Sequence, residues 1–292
     1  MNLHEIAEVL ISGITIGLVY FLIAVGFSLI YGVSRVLNLS YGSFFTWGAY
    51  LAWLFAVKFK LGYLFALIIV CPILYLMGMA LERFVVRPLR RRENFDFSVL
   101  LAGLGVALFM DYSAQAFFGA RTKSLPSLLE GTVQAGTFVF SLQQITMLVA
   151  ALIIAIGLGL FLDKTMKGMT LSAVAQDPMG ARIVGIPLNK IYAFTFGIST
   201  ILAGFAGILL APRFFISPLG GWKFLLKALI IVVAGGLGSI KGTLYSAFIL
   251  GILEAFVGWK LGLLWVMPFW FLALLLILLI RPHGLYGSVA DH

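Results

Sequence analysis

Six stretches of this chain, each 20 to 32 residues long, contain no charged side chain. A helix that crosses the hydrocarbon core of a bilayer needs about 20 apolar residues, so each stretch is long enough to do so. They are Val9–Ser34, Val36–Val57, Leu61–Leu81, Gly131–Leu162, Ile191–Pro212 and Leu261–Ile280. This pattern predicts an all-α integral membrane protein.

The composition excludes the main alternatives. Of 292 residues, 62% are hydrophobic and only 11% are charged, whereas soluble domains carry about 25% charge. A soluble enzyme, a disordered chain and a nucleic-acid-binding protein are therefore poor fits. The net charge of +9 agrees with basic residues retained in the loops of a membrane protein, so we expect no nucleic-acid partner.

Three further regions complete the predicted spans. The polar start of the Gly131 stretch restricts its membrane part to about Gln143–Leu162, and Phe97–Phe118 is a span if Asp111 lies inside it. Phe224–Gly258 is divided by Lys241 and several glycines, which suggests a broken helix. We predict one transmembrane permease domain over residues 1–292, a polytopic bundle of about eight to nine helices.

Basic residues predict the orientation. Five arginines lie between Arg83 and Arg92, and a second basic loop spans about residues 163–190. Because basic loops remain in the cytoplasm, both are predicted inside and the N-terminus outside. Val9–Ser34 and Ile191–Pro212 then enter the membrane in opposite senses, as in transporters built from inverted repeats.

No catalytic or metal-binding pattern is present. The single cysteine, Cys71, has no partner for a disulfide, and the sequence lacks a phosphate-binding loop, a nucleophile elbow and paired metal ligands. We expect a chain that is not an enzyme and has no metal site.

Two glycine-containing polar stretches lie at membrane depth. Polar backbone at that depth must be satisfied by neighbours or line an aqueous cavity, so both stretches are candidates for a substrate pathway. The residues are Asn38, Tyr41, Gly42 and Ser43 in the first stretch, and Gly235, Gly236, Gly238 and Ser239 in the second. An ordinary tight turn is the alternative for each.

Asp111 and Glu254 are acidic residues inside predicted spans. A carboxylate in hydrocarbon must face a partner or a cavity, so these two could couple protons or contact substrate. Without a histidine or arginine relay, structural pairing is favoured, for example between Glu254 and Lys241.

The basic loop at 163–190 contains a helix signal. Asp177 suits the N-cap and Pro178 the first helical position, and Gly185 suits a left-handed end after Val184. Leu171, Val174, Ile183 and Val184 could dock on a partner protein. The alternative is packing on the protein's own helix ends.

Together these motifs resemble the LivH-type permeases, which are membrane subunits of bacterial ABC importers for branched-chain amino acids. The resemblance rests on four segments in family order. They are Asn38-Leu39-Ser40-Tyr41-Gly42, the arginines around Arg87-Pro88-Leu89-Arg90, Ala173–Gly185, and Ala234–Ser239 with Gly251–Glu254.

The resemblance implies an ATP-driven importer in the bacterial inner membrane. The expected partners are a second, LivM-like permease subunit, two ABC ATPase subunits and a periplasmic or lipid-anchored substrate-binding protein. ATP and Mg²⁺ would bind to the ATPases, and this chain would hold no cofactor. Met169–Gly185 would be the coupling helix. The coupling residues would be Ala173, Ala175, Asp177, Gly180, Arg182 and Gly185.

Four positions depart from the family pattern. Tyr41 and Ser43 often correspond to histidine and an acidic residue, and Ser172 and Gln176 to arginine and glutamate. The expected substrates are branched-chain or other small hydrophobic amino acids, with urea or short amides as the alternative. An ion-coupled carrier, a channel and a membrane enzyme are the other classes considered.

Overall fold

A computed structural model describes residues 3–127, 129, 131–135, 138–281 and 284–286. Its elements are α1 (Leu3–Ser34), α2 (Tyr41–Trp53), α3 (Tyr63–Leu81), α4 (Arg87–Leu89), α5 (Phe95–Phe118), β1 (Thr132–Ala135), β2 (Phe138–Ser141), α6 (Leu142–Lys164), α7 (Met166–Gln176), α8 (Pro178–Ile183), α9 (Leu188–Leu210), α10 (Gly221–Gly235), α11 (Ile240–Lys260) and α12 (Val266–Ile280). π-Helical turns extend α2 over Leu54–Lys58 and α3 over Glu82–Val86, and a 3₁₀ turn, Leu263–Trp265, precedes α12. β1 and β2 form a small antiparallel hairpin.

Seven of the described helical segments are long and apolar enough to cross a membrane, and they include helices α1, α3, α5, α6, α9, α11 and α12. α5 contains Asp111 as predicted, and α6 covers the predicted Gln143–Leu162. Helices α2 and α10, which are shorter, also belong to the bundle. Counted with the seven, they give nine helices among the described residues, and the predicted count of eight to nine is approximate.

Helices α1 and α9 form the centre of the bundle. In their most apolar windows, 78% and 72% of residues are buried, whereas the value for α12 is 17%. Helix α1 packs along α10 and α11, and α9 packs along α2 and α3. This reciprocal pattern is the one expected of two halves with inverted topology.

Glycines allow the central helices to approach closely. A methyl group at Gly17 would lie 2.9 Å from the carbonyl oxygen of Ala247, and Gly48 faces Gly204 backbone to backbone. Small residues at helix crossings provide close van der Waals packing where lipid removes the hydrophobic driving force. In contrast, Gly105, Gly157 and Gly159 face open space.

The broken helix predicted in Phe224–Gly258 is a helical hairpin. Helices α10 and α11 run antiparallel and are joined by a turn in which Gly236 and Gly238 have φ of 99° and 84°. Ser239 ends the turn because its hydroxyl accepts a hydrogen bond from the Gly242 amide at 3.1 Å. Irregular backbone also occurs at residues 35–40, which precede α2, and at residues 211–220, which precede α10.

The two basic loops lie at the same end of the molecule. Arg87 donates a hydrogen bond to the carbonyl of Asn189 at 3.1 Å, and the Arg90 guanidinium lies 3.7 Å from the centre of the Tyr192 ring. Burial lowers the pKa of Arg90. This placement agrees with the prediction that both loops face one compartment.

Candidate substrate pathway and coupling surface

Helix α2 begins inside the bundle, after a non-helical approach through residues 35–40. The buried Asn38 side chain accepts hydrogen bonds from the Ser40 amide at 3.1 Å and the Ser40 hydroxyl at 2.7 Å. It lies against Gly103 of α5. This Asx-type arrangement satisfies the turn locally and directs the chain into α2.

The N-termini of α2 and α10 meet. Gly42 and Gly221 are in backbone contact, and the Thr46 hydroxyl lies beside Gly221. A helix N-terminus carries a partial positive charge and unpaired amides. Two such ends, both buried, therefore face each other within the bundle.

A depression opens beside this meeting point, on the side away from the arginine loop. Its enclosed part has a volume of about 20 Å³, and its walls include Phe45, Thr46, Phe214, Ser217 and Phe224. Nothing in the sequence indicates that these residues are neighbours. They come from α2, from the segment after α9 and from α10, which are far apart in the chain.

Tyr41 and Ser43, predicted for the pathway, connect α2 to neighbouring helices. The Tyr41 hydroxyl donates to the Ser199 carbonyl at 3.0 Å, and the Ser43 hydroxyl donates to the Ala107 carbonyl at 3.4 Å. Asp111 is buried and accepts a hydrogen bond from the Trp222 indole at 2.7 Å. Asp111 thereby ties α5 to the first turn of α10.

The second predicted pathway stretch lies elsewhere. Gly235 is the last residue of α10, whereas Gly42 contacts the first, so about 21 Å of helix separates the two stretches. Gly236, Gly238 and Ser239 form the tight turn that was the alternative interpretation, and Gly238 packs on Gly32 of α1. Their role in a pathway stays a prediction.

Glu254 has a different partner from the one considered from the sequence. Its carboxylate forms an ion pair with Lys227 at 2.8 Å and accepts hydrogen bonds from Tyr20 at 3.0 Å and Trp270 at 2.9 Å. Pairing with Lys241 is wrong, because Lys241 lies at the start of α11, about 20 Å along the helix from Glu254.

The coupling segment folds as two short helices. Asp177 caps α8 by accepting from the Gly180 amide at 2.9 Å, and Gly185 has φ of 87°, both as the sequence predicted. A side chain at Gly180 would collide with the Asp177 carboxylate. Glycine at this position therefore preserves the cap.

The two coupling helices have different surroundings. In α7, Leu171 and Val174 are 1% and 0% exposed, so their predicted availability for docking is wrong. They are buried because α7 packs on α1, α6 and α9. In contrast, Met179, Ile183 and Val184 are 71%, 84% and 76% exposed.

The remaining coupling residues are distributed around these helices. Ala173, Asp177, Arg182 and Gly185 are exposed, and Ala175 and Gly180 are half-buried. Together with the apolar residues of α8, they form an exposed surface beside the arginine loop. We call Met179, Ile183 and Val184 the α8 patch.

The chain is similar to known transport proteins over nearly its whole length. A family model described as the permease component of branched-chain amino acid transport systems matches residues 9–281. The permease BraD of a high-affinity branched-chain amino acid transport system from Pseudomonas aeruginosa is 30% identical, with 98% of this chain and 97% of BraD covered. LivH of Escherichia coli is 28% identical, with 94% of each chain covered.

Two more distant similarities are informative. LivM of Escherichia coli, a permease of the same kind of system, is 27% identical over 81% of this chain and 60% of LivM. PsaBC from Streptococcus pneumoniae, solved in complex with Fab, matches with a TM-score of 0.53 at 12% identity, covering 99% of this chain and 96% of that one. The latter likeness concerns the fold alone.

Proposed function

Because this chain belongs to the family of permease components of branched-chain amino acid transport systems, we propose that it carries branched-chain or other small hydrophobic amino acids in an ATP-driven importer. It is a multi-pass membrane protein, and the pathway would form between it and a second, LivM-like subunit. The similarity of this chain to both LivH and LivM relatives supports a pair of related subunits.

The observation that carries the proposal is the α8 patch. Monomeric proteins seldom expose clustered large apolar side chains, and such a cluster marks a partner site. It lies on a capped helix that protrudes beside the basic loop, the position in which an ATPase would dock. Two ATPase subunits would supply ATP and Mg²⁺ binding, and this chain would bind no cofactor and catalyse no reaction.

The remaining parts of the proposal follow from the same orientation. With the arginine loop in the cytoplasm of a bacterium, the protein would lie in the inner membrane with its N-terminus outside. A periplasmic or lipid-anchored binding protein would then deliver substrate to the opposite end of the protein, which includes residues 211–220.

The direct test is transport by the reconstituted assembly. Vesicles containing both permeases and both ATPases should accumulate radiolabelled leucine when ATP and the binding protein are supplied. Accumulation of urea in place of leucine would assign the amide alternative, and leucine uptake driven by an ion gradient without ATP would contradict the importer.

Gly180→Ala tests the coupling role of α8. The methyl group displaces the Asp177 cap, which is worth about 1 kcal/mol, and so distorts the α8 patch. We expect leucine transport to fall at least fivefold while the ATPases continue to hydrolyse ATP. Met166→Leu, which changes an exposed residue of α7 outside the predicted coupling residues and conserves side-chain volume, serves as the control for this segment. Unchanged transport in Gly180→Ala would count against the assignment.

A further inference from the structure

The start of α10 combines features that a pair of packed helices does not require. The helix begins within the bundle, since Trp222 in its first turn bonds to Asp111 of α5. Asp111 lies about 24 Å along α5 from Phe95 and about 10 Å from Phe118. The first turn of α10 therefore lies beside the part of α5 that contains Asp111, within the length of a helix that is long enough to cross a membrane.

This helix end lacks an acceptor of its own. The N-cap is Gly220, which has no side chain to accept hydrogen bonds from the first amides. The Gly220 and Trp222 amides bond to Ser217 and Leu219, but those of Gly221 and Lys223 have no acceptor within the part of the chain described. An N-terminus in this condition attracts an anion.

A second observation points to the same place. The Thr46 side chain is 2% exposed, and its hydroxyl has no hydrogen-bond partner among the described residues. A methyl group at Gly221 would lie 2.6 Å from this oxygen, so the hydroxyl is directed at the first residue of α10. A buried hydroxyl without a partner is costly, and a ligand that accepts its hydrogen bond would remove that cost.

The surroundings suit an aliphatic group attached to the anion. Phe45 and Phe224 are stacked with ring centres 4.3 Å apart, and Phe214 meets Phe224 edge-on at 5.7 Å. These rings form the wall of the depression that Thr46 also lines. Lys223, exposed in the first turn of α10, adds a positive charge to this end of the helix.

We propose that the N-terminus of α10 and the Thr46 hydroxyl bind the carboxylate of the translocated amino acid, while Phe45, Phe214 and Phe224 contact its aliphatic side chain. This inference rests on the proposed transport function and assigns a subsite to it. It favours a carboxylate over urea, because urea carries no negative charge for the helix end to bind.

The enclosed volume of about 20 Å³ has room for about one water molecule, so the subsite is closed in this conformation. Opening requires movement of the wall at Phe214–Ser217. That segment is joined to residue 123 by the two backbone hydrogen bonds between Lys123 and Ile216. This bridge connects the wall of the depression to the linker after α5.

The test measures leucine binding to the complete membrane assembly in nanodiscs, without the binding protein. We expect 4-methylpentanoate, which has the carboxylate and side chain of leucine, to displace tritiated leucine, and 3-methylbutylamine to displace it at least tenfold less well. Thr46→Val should raise the Kd for leucine about tenfold, equivalent to about 1.4 kcal/mol. Thr46→Ser should stay within about twofold of the wild type.

Ser28→Ala is the matched control, since Ser28 is also buried with an unpartnered hydroxyl but does not line the depression. An unchanged Kd in Thr46→Val, or preferential displacement by the amine, would overturn the subsite. If the wild-type assembly transports leucine and the Thr46→Val variant binds leucine with the wild-type Kd, only the subsite fails. If the wild type with its binding protein transports no leucine, the proposed function itself fails, and the subsite falls with it.

Discussion

The buried pair of Lys227 and Glu254 gives the sharpest prediction about stability. Their side chains are 6% and 9% exposed and lie 2.8 Å apart. Lys227→Met leaves the carboxylate with two neutral donors, Tyr20 and Trp270. Because removal of one partner leaves an uncompensated buried charge, we expect the free energy of unfolding to fall by about 3–5 kcal/mol.

Glu254→Gln removes the opposite charge and should be milder. The Lys227 ammonium retains a hydrogen bond to Tyr20 at 2.6 Å and lies 4.7 to 5.9 Å from the centres of three aromatic rings. Contacts between a cation and an aromatic face contribute about 0.5–2 kcal/mol, so we expect a loss of about 2–3 kcal/mol.

The double variant decides whether pairing is responsible. With methionine at 227 and glutamine at 254, no charge remains and the glutamine oxygen still accepts from Tyr20 or Trp270. The loss should therefore be about 0–2 kcal/mol, a coupling energy of about 3 kcal/mol or more. Reversible unfolding in mixed detergent micelles, followed by circular dichroism, measures all four proteins. Single variants that each cost less than about 1 kcal/mol, or strictly additive losses, would refute this reasoning.

Two other predictions concern packing and topology. Gly17→Leu should lower the free energy of unfolding by about 3 kcal/mol or more in the same assay, because the new side chain meets the backbone of α11. Gly105→Leu, whose side chain points into open space, should leave the stability unchanged. Equal losses of stability in the two variants would contradict the packing assigned to Gly17. In a Cys71→Ser background, the exposed positions Lys58→Cys and Arg91→Cys should label from opposite sides of the membrane, Lys58→Cys from outside; labelling of both from one side would disprove the topology.

Much of the fold was predictable because the cost of charge in hydrocarbon is large. Charge-free stretches predict the long helices, but the predicted span Val36–Val57 becomes helical only at Tyr41, because Asn38 forms a turn with Ser40. For α10 and α11, the sequence leaves two interpretations open. Gly236 and Gly238 suggest a break within one helix, whereas two glycines followed by the N-cap serine Ser239 are equally typical of a tight turn between antiparallel helices.

The relative direction of α10 and α11 also decides which cation pairs with Glu254. Once α10 and α11 are antiparallel, Lys227 and Glu254 lie at similar distances on either side of Ser239 and can meet. If Phe224–Gly258 were one helix, Lys241 would be the cation nearest to Glu254 within that segment. The two side chains would still lie about 20 Å apart along the helix axis. Partner assignment in a membrane bundle therefore depends on the direction of each helix, which composition does not supply.

The exposure predicted for the apolar residues of the coupling segment is observed at Ile183 and Val184 but not at Leu171 and Val174. Leu171 and Val174 are three residues apart, a spacing that gives α7 one apolar edge, and this edge is buried within the protein. In α8, which has only six residues, Ala181 is buried and the larger apolar residues Met179 and Ile183 are exposed. Met179 and Ile183 are four residues apart and also share one face, so spacing alone does not distinguish the buried edge of α7 from the exposed one of α8.

The subsite at Thr46 could not be found from sequence, because its walls come from α2, from the segment after α9 and from α10, which meet only in the folded bundle. Helix α9 contacts α2 at Gly204 and Gly207, opposite Gly48 and Phe45. The same helix packs against α7 and α8 at its other end. A displacement of α8 by a docked partner would therefore reach the Phe45 wall through one rigid helix, whereas α5 and α12 have no contact with α8 among the principal packing pairs. Since small residues fix α9 against α2 without flexible side chains between them, we expect α9 to move the wall with it and not to slide past it.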